Sequence, residues 1–476
     1  MKVLFVQPPH YFDGKSRRPG FFPVGLGYLT ARLLEEGHEV EVFDIWAHQL
    51  APEEVMRTIP NLKYDVVGIT ALSTQYNYVK WLVGQLKQHH SDKAVVVGGP
   101  LATFSPEVVL KHTLVDICVI SEGDISFPNL LRNLNEPHKV NGIVYRKNSE
   151  VIRTPPQEYV RDLDSLGFAV RDRNIFATDI YLKEGYLDGH PDIRAMNVMT
   201  SRGCPWSCDF CSKTYRHVRC RSVPHVRQEI EMLIENFGVG AMFFNDETLV
   251  LSKKRIYELC EAIKPLNILW QGQARVNTVD LDVLKCMKDA GCVAVGLGIE
   301  SGSQRILDAM NKRTTVEQNI AAIKAAKEVG LEVIVQCIYG YPSECDETIA
   351  EVIDFFRRAD TLHQGFFVLT PLPGSTLYQR CLEQERIIDE EEYLVNLDAG
   401  YNTSRKALVN LTEFTIEEFY QKKRWMEDRI QWNYFLRHPF QQVVIRDKNN
   451  NLYPVPLAWQ VLHSAWKRLT RPASPR

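Results

Sequence analysis

Short apolar runs at residues 3–6, 40–43, 66–69, 95–97 and 117–120 alternate with amphipathic stretches. Runs of this length separated by helical periodicity predict five parallel strands with covering helices, a doubly wound α/β sheet over residues 1–134. Ligands of such sheets lie beyond the carboxyl ends of the strands. Those ends carry Gln7-Pro8-Pro9, Ser73-Thr74, Gly98-Gly99-Pro100 and Glu122-Gly123-Asp124, small and polar residues that let a large ligand approach the backbone or simply turn the chain.

Residues 135–194 read as a connector, with a hairpin formed by 142–146 and 151–153 around Lys147-Asn148-Ser149 and followed by Pro155-Pro156. A second series of strands is expected at 197–200, 241–244, 268–271, 293–299, 333–338 and 366–369. Six strand-helix units over 195–380 predict a partial (β/α)6 barrel, whose chemistry belongs at the carboxyl ends of its strands. The remaining segment, 381–476, reads as mainly helical: Thr415 and Glu418 have capping-box spacing, Trp425, Trp432, Trp459 and Trp466 are expected to pack helices, and 471–476 to fray.

Composition narrows the class of protein. Of 476 residues, 45% are hydrophobic and 24% charged, an ordinary globular balance. A formal net charge of −3 gives no global attraction to nucleic acid. No stretch reaches the ~20 apolar residues of a membrane span, and the start reads as a strand rather than a secretory signal, so a cytoplasmic protein is expected. Eleven cysteines, three of them between 204 and 211, suggest metal ligation in a reducing compartment.

Cys204, Cys208 and Cys211 are spaced C-x3-C-x2-C directly after the first barrel strand. Three thiolates on one loop can hold three irons of a cubane and leave the fourth open to a ligand, whereas electron carriers usually supply four cysteines. A structural zinc site completed by His217 or Cys220 is the alternative. Cys220, Cys286, Cys292 and Cys337 lack ligand spacing and are expected to pack in apolar surroundings.

The loop from Ser201 through Gly203 to Cys211, with Phe210 before the last cysteine, resembles the signature of radical S-adenosylmethionine (SAM) enzymes. The resemblance implies a 4Fe-4S cluster on Cys204, Cys208 and Cys211, chelation of the open iron by the amino and carboxylate groups of SAM, and release of a 5′-deoxyadenosyl radical. It places Phe210 near the adenine, unless that ring is plain core. Asn245-Asp246-Glu247 resembles the acidic motif facing the methionyl ammonium, with helix capping as the other role of Asp246 or Glu247. Arg275 would reach the SAM carboxylate or a neighbouring acid. Gly298, Glu300 and Ser301 resemble the segment beside the ribose, where the carboxylate and hydroxyl can bond to sugar hydroxyls.

The motifs of the first sheet, together with Pro23-Val24-Gly25-Leu26-Gly27-Tyr28-Leu29, resemble the flavodoxin-like cobalamin-binding domain that precedes many such barrels. The implied corrinoid contacts are Gln7, Pro8, Ser73, Thr74, Gly98, Gly99, Glu122 and Gly123. Leu101 stands where this family often has histidine, and no Asp-x-His-x-x-Gly segment is present to place an imidazole under the cobalt. The implied activity is methylation of an unactivated carbon of a small-molecule substrate, with a flavodoxin or ferredoxin as electron donor. The alternatives are an oxidative cyclase using the same cofactors and a non-catalytic metal or corrinoid carrier.

Overall fold

A computed structural model of the chain describes residues 1–10, 20–148, 150–182, 187, 190, 192–215, 217–363, 365–401 and 407–439, and two later strands. Ser149, Trp459, Trp466 and 471–476 lie outside the described residues.

Strands β1 (Lys2–Gln7), β2 (Glu39–Asp44), β3 (Val66–Thr70), β4 (Ala94–Gly98) and β5 (Ile117–Val119) form the expected parallel core in the order β2-β1-β3-β4-β5. Along β1, Val3 and Phe5 join one apolar cluster while Leu4 and Val6 join another, so the period of two feeds both faces of the sheet. That double burial is why these strands read as continuous apolar runs. The hairpin β6 (Ile143–Lys147) and β7 (Glu150–Arg153), anticipated within the connector, pairs antiparallel onto β5 and extends the sheet to seven strands. The rest of the connector is anchored on the barrel: Arg171 forms a buried ion pair with Glu229, which also holds Arg221.

The second sheet contains β8 (Ala195–Val198), then, beyond the short antiparallel ladder β9 (Ser201–Arg202) and β10 (Arg219–Cys220), β11 (Ala241–Phe244), β12 (Leu269–Ala274), β13 (Cys292–Glu300), β14 (Glu332–Tyr339) and β15 (Phe366–Val368). Its six strands are parallel in the order β15-β14-β13-β12-β11-β8, an open barrel. Strand β8 stops at Val198, two residues before the predicted end, because the Thr200 N–H bonds to the side chain of Asp246 instead of continuing the ladder.

Two helices of the C-terminal segment embrace both domains. Helix Glu390–Tyr401 lies on the first: Leu394 and Leu397 enter its core, and Glu391 accepts from Tyr76 and Lys80 and pairs with His112. Helix Ile416–Arg437 starts at the predicted Thr415–Glu418 capping box and buries Phe419, Met426, Ile430 and Tyr434 against the barrel. These inner positions repeat with helical period and leave Trp425 and Trp432 outside, 57% and 39% exposed, contrary to the expected packing role. A hairpin of β16 (Gln442–Arg446) and β17 (Leu452–Pro456) follows the helices.

Candidate active site

The cysteine loop leaves the ladder β9/β10 through Gly203, whose φ of +97° and 2.6 Å approach to the His217 carbonyl (measured from an added Cβ) admit no side chain without strain. Its far end is pinned to the barrel. The Asp209 N–H donates to the Met310 carbonyl at 3.0 Å, Arg380 pairs with the Asp209 carboxylate at 2.9 Å, and Asn311 donates to the Ser207 carbonyl at 2.7 Å. Cys204 and Cys208 are half-buried. Cys211 is exposed, yet desolvation by its surroundings, then Cys208, Glu247 and Cys204, push its thiol up to about 12. Burial also raises the Cys204 thiol. Among the described residues no three His, Cys, Asp or Glu side chains already surround a common metal position. Cys220 sits opposite Ser201 in the ladder, where Arg255 and Asp246 are the charged groups that act on it. His217 is exposed and turns its ring toward Tyr159.

Of the two acids after β11, Asp246 is buried, although it borders the barrel cavity together with Glu247. It is 4% exposed and accepts from the Thr200 N–H at 3.1 Å, the Thr200 hydroxyl at 2.9 Å and the Ser201 hydroxyl, fastening β11 to the chain entering the cysteine loop. These bonds occupy its carboxylate in the structure, at the edge of the cavity. Glu247 is the exposed acid, and it lines a barrel cavity of about 370 Å³ with Asn245, Gln271, Gln273, Gln336, Phe243 and Phe21. Burial raises the carboxyl of Glu247 above its ordinary range, partly offset by Lys213. Arg275 stacks over Trp206 at 4.9 Å and directs Nη1 to the Cys208 sulfur at 3.4 Å, while Nη2 is buried with no partner in the structure.

At the end of β13 a register shift between Gly298 and Glu300 and a φ of +61° at Glu300 turn that carboxylate onto Lys312, 2.6 Å away. A Cβ on Gly298 would stand 2.7 Å from Glu300 Oε1 and 3.0 Å from Lys312 Nζ, so the glycine makes room for the pair. The Ser301 hydroxyl accepts from the Ser303 N–H at 3.1 Å within its own loop. Phe210 packs at the edge of a cluster with Ile306, Met310, Tyr341, Leu369 and Leu377, keeping part of its ring exposed.

The carboxyl end of the first sheet holds a narrow slot of about 60 Å³, bounded by Gly68, Gly98, Gly99 and Gly123 and by Leu26, Leu29 and Phe127. A Cβ on Gly98 would meet nothing within 4 Å, so bare backbone borders open space there. Ser73 and Thr74 are buried in a 3-10 turn and Pro8 lends its carbonyl to Gln75, outside that lining. Gln7 is also outside it, with a buried Oε1 that has no partner. Glu122 is likewise absent from the lining, and both its oxygens go to arginines of the barrel, Arg202 and Arg219. This end of the sheet faces the mouth of the barrel. Ser121 donates to the Thr214 carbonyl at 3.3 Å, and Phe21, from the loop after β1, lies 5.3 Å from Phe243 inside the barrel cavity.

Residues 198–356 match the radical SAM superfamily, and residues 16–131 match the B12 binding domain. An uncharacterized methyltransferase of Pyrococcus horikoshii is 32% identical over 430 residues, covering 88% of this chain and 90% of that protein. The chain belongs to the radical SAM superfamily and carries a B12-binding domain. This radical SAM enzyme is also 29% identical over 488 residues to the anaerobic magnesium-protoporphyrin IX monomethyl ester cyclase of Rubrivivax gelatinosus, covering 98% of this chain and 83% of that one. The solved structure of the radical SAM methyltransferase TsrM from Kitasatospora setae shares its fold, with a TM-score of 0.67 at 18% identity over 80% of this chain and 76% of that one.

The cofactors of the enzyme are a 4Fe-4S cluster, SAM and cobalamin. The residues present suit them. Three free thiols share one loop, and an orphaned, buried guanidinium N–H beside them suits a carboxylate. Backbone bared by glycine at the end of the first sheet suits a large planar group. Sequence reasoning missed Lys312 as the partner of Glu300, the hold of Arg380 on Asp209, and the arginines on Glu122. Their only linear signal was charge beside a motif.

Proposed function

We propose that this enzyme methylates an unactivated carbon of a small molecule held between the two domains. The observation that carries the reading is the confrontation of the two cofactor-binding mouths: Ser121 touches Thr214, and Phe21 from the first domain enters the barrel cavity beside Phe243. When bound, the cluster and SAM supply a 5′-deoxyadenosyl radical that removes a hydrogen atom, and the corrinoid supplies the methyl group.

The chain's own residues bind and orient. Cys204, Cys208 and Cys211 hold the cluster; Arg275 offers its free Nη2 to the SAM carboxylate; Glu247, the exposed acid, receives the ammonium. The Glu300–Lys312 pair presents an acceptor and a donor to ribose hydroxyls, with Gly298 keeping the approach open and the partly exposed ring of Phe210 beside the adenine. Gln271, Gln336, Phe243 and Phe21 line the space left for substrate, where apolar rings exclude water from a reactive carbon. Gly98, Gly99 and Gly123 border the corrinoid slot. Eleven free thiols and a low-potential cluster suit a cytoplasmic enzyme reduced by a flavodoxin or ferredoxin.

The near full-length similarity to the Rubrivivax gelatinosus cyclase favours a second reading, oxidation or ring closure without methyl transfer. Incubation of the reconstituted enzyme with SAM deuterated in its methyl group and an extract of small molecules separates the two by mass spectrometry. A product carrying the deuterated methyl supports the proposal. A product that has only lost hydrogen overturns it.

A further inference from the structure

The loop that carries the cysteines is closed at its base by the two-residue ladder β9/β10, in which Arg202 stands directly opposite Arg219. Two like charges facing each other across a ladder repel. Here they straddle one carboxylate from the other domain: Glu122 lies 3.2 Å from Arg202 Nη1 and receives both terminal nitrogens of Arg219. Arg202 reaches on to Asp124 with a two-pronged contact of 2.7 and 3.2 Å. Side chains of Arg202, Glu122 and Asp124 are all under 8% exposed.

A buried ionic array of this kind stabilises weakly, because desolvation consumes much of the attraction; its best-attested use is to fix register. The register in question joins the two cofactors. Arg202 is two residues before Cys204, and Glu122 and Asp124 flank Gly123 of the corrinoid slot. The neighbouring Ser201 is tied to Asp246 of the barrel, so the entry to the loop is held from both domains at consecutive residues.

We propose that Glu122 and Asp124 are positioning residues: as an ionic clip on Arg202 and Arg219 they close the base of the cluster loop from the corrinoid domain and fix the separation of cluster and cobalt. The proposal rests on both cofactors binding as argued above. The clip should act only when the domains are docked, since without Glu122 the facing arginines would push the ladder apart.

The test uses full-length protein reconstituted with iron, sulfide and cobalamin, and reads the microwave power saturation of the cob(II)alamin EPR signal with the cluster oxidised and then reduced. In the native protein the reduced, paramagnetic cluster should speed cobalt relaxation. In Glu122→Gln and Asp124→Asn, loaded with both metals, that enhancement should shrink toward the oxidised-cluster value, and Asp124→Glu should restore it. Native enhancement in both loaded variants overturns the proposal. If either variant fails to load, Arg219→Lys decides, since it keeps the charge but cannot hold both oxygens of Glu122: a reduced enhancement supports the clip and a native one overturns it. A native protein that takes up no cobalt overturns the functional reading as well, and is recognised before any variant is made.

Discussion

Arg275 aims one nitrogen at the sulfur of Cys208, 3.4 Å away, while its other terminal nitrogen is buried and unpartnered. A buried donor without an acceptor is costly, about 1–3 kcal/mol, and is kept where a ligand completes it. Arg275→Gln should therefore weaken SAM binding about 10- to 100-fold, the loss of a charged hydrogen bond worth about 1.5–3 kcal/mol. Equilibrium binding of SAM to the reconstituted protein measures this; unchanged affinity would remove Arg275 from the cofactor site.

Gly298→Ala places a methyl group 2.7 Å from Glu300 Oε1 and 3.0 Å from Lys312 Nζ. The pair must part, so SAM affinity should fall by about tenfold, or ~1.4 kcal/mol, while the cluster still assembles. Lys312→Met should give a similar loss through an unpaired, nearly buried carboxylate. Iron content and SAM titration on the same samples distinguish a binding defect from a folding defect.

Glu229, fully buried, receives Arg171 from the connector and Arg221 from the barrel. Burial alone would raise its carboxyl, but the two guanidinium groups win and hold it below the ordinary glutamate range. A depressed carboxyl contributes stability above the pKa of the unfolded chain, and that contribution disappears as pH falls through the lower folded value. Glu229→Gln should cost about 3–5 kcal/mol by leaving two buried arginines uncompensated. Its thermal midpoint at neutral pH should drop by several degrees, with the gap to the native protein closing in acid.

The loop after β15 docks on the first domain through Gly374, at φ +87°, where a Cβ would lie 2.2 Å from the ring of Phe104. Gly374→Ala should destabilise by about 2–4 kcal/mol, combining left-handed strain with overpacking. Adding Phe104→Ala should recover the steric part only. Limited proteolysis and thermal unfolding of the single and double variants provide the comparison.

Much of this architecture was legible because apolar runs report strands buried on both faces: all eleven strands of the two parallel arrays lie where the runs lie. Cys204, Cys208 and Cys211 could be singled out in the sequence because all three lie on one short loop. What pattern could not supply was direction and distant partnership. Asp246 and Glu247 are adjacent acids on one cavity, and only the turn after β11 decides that the first is buried on Thr200 while the second stays exposed. Glu122 sits among small polar residues typical of a ligand-binding strand end, yet its partner Arg219 is 97 residues away. Trp425 and Trp432 carry the bulk of core residues, but their phase on the helix differs from that of Phe419 and Met426.

The most direct test of the central claim is the EPR spectrum of anaerobically reconstituted, reduced protein with and without SAM. The account predicts the signal of a reduced 4Fe-4S cluster that shifts when SAM is added, and the absence of that signal in Cys208→Ala. A native protein that holds zinc in place of iron, or a Cys208→Ala variant with an unaltered, SAM-responsive spectrum, would contradict it.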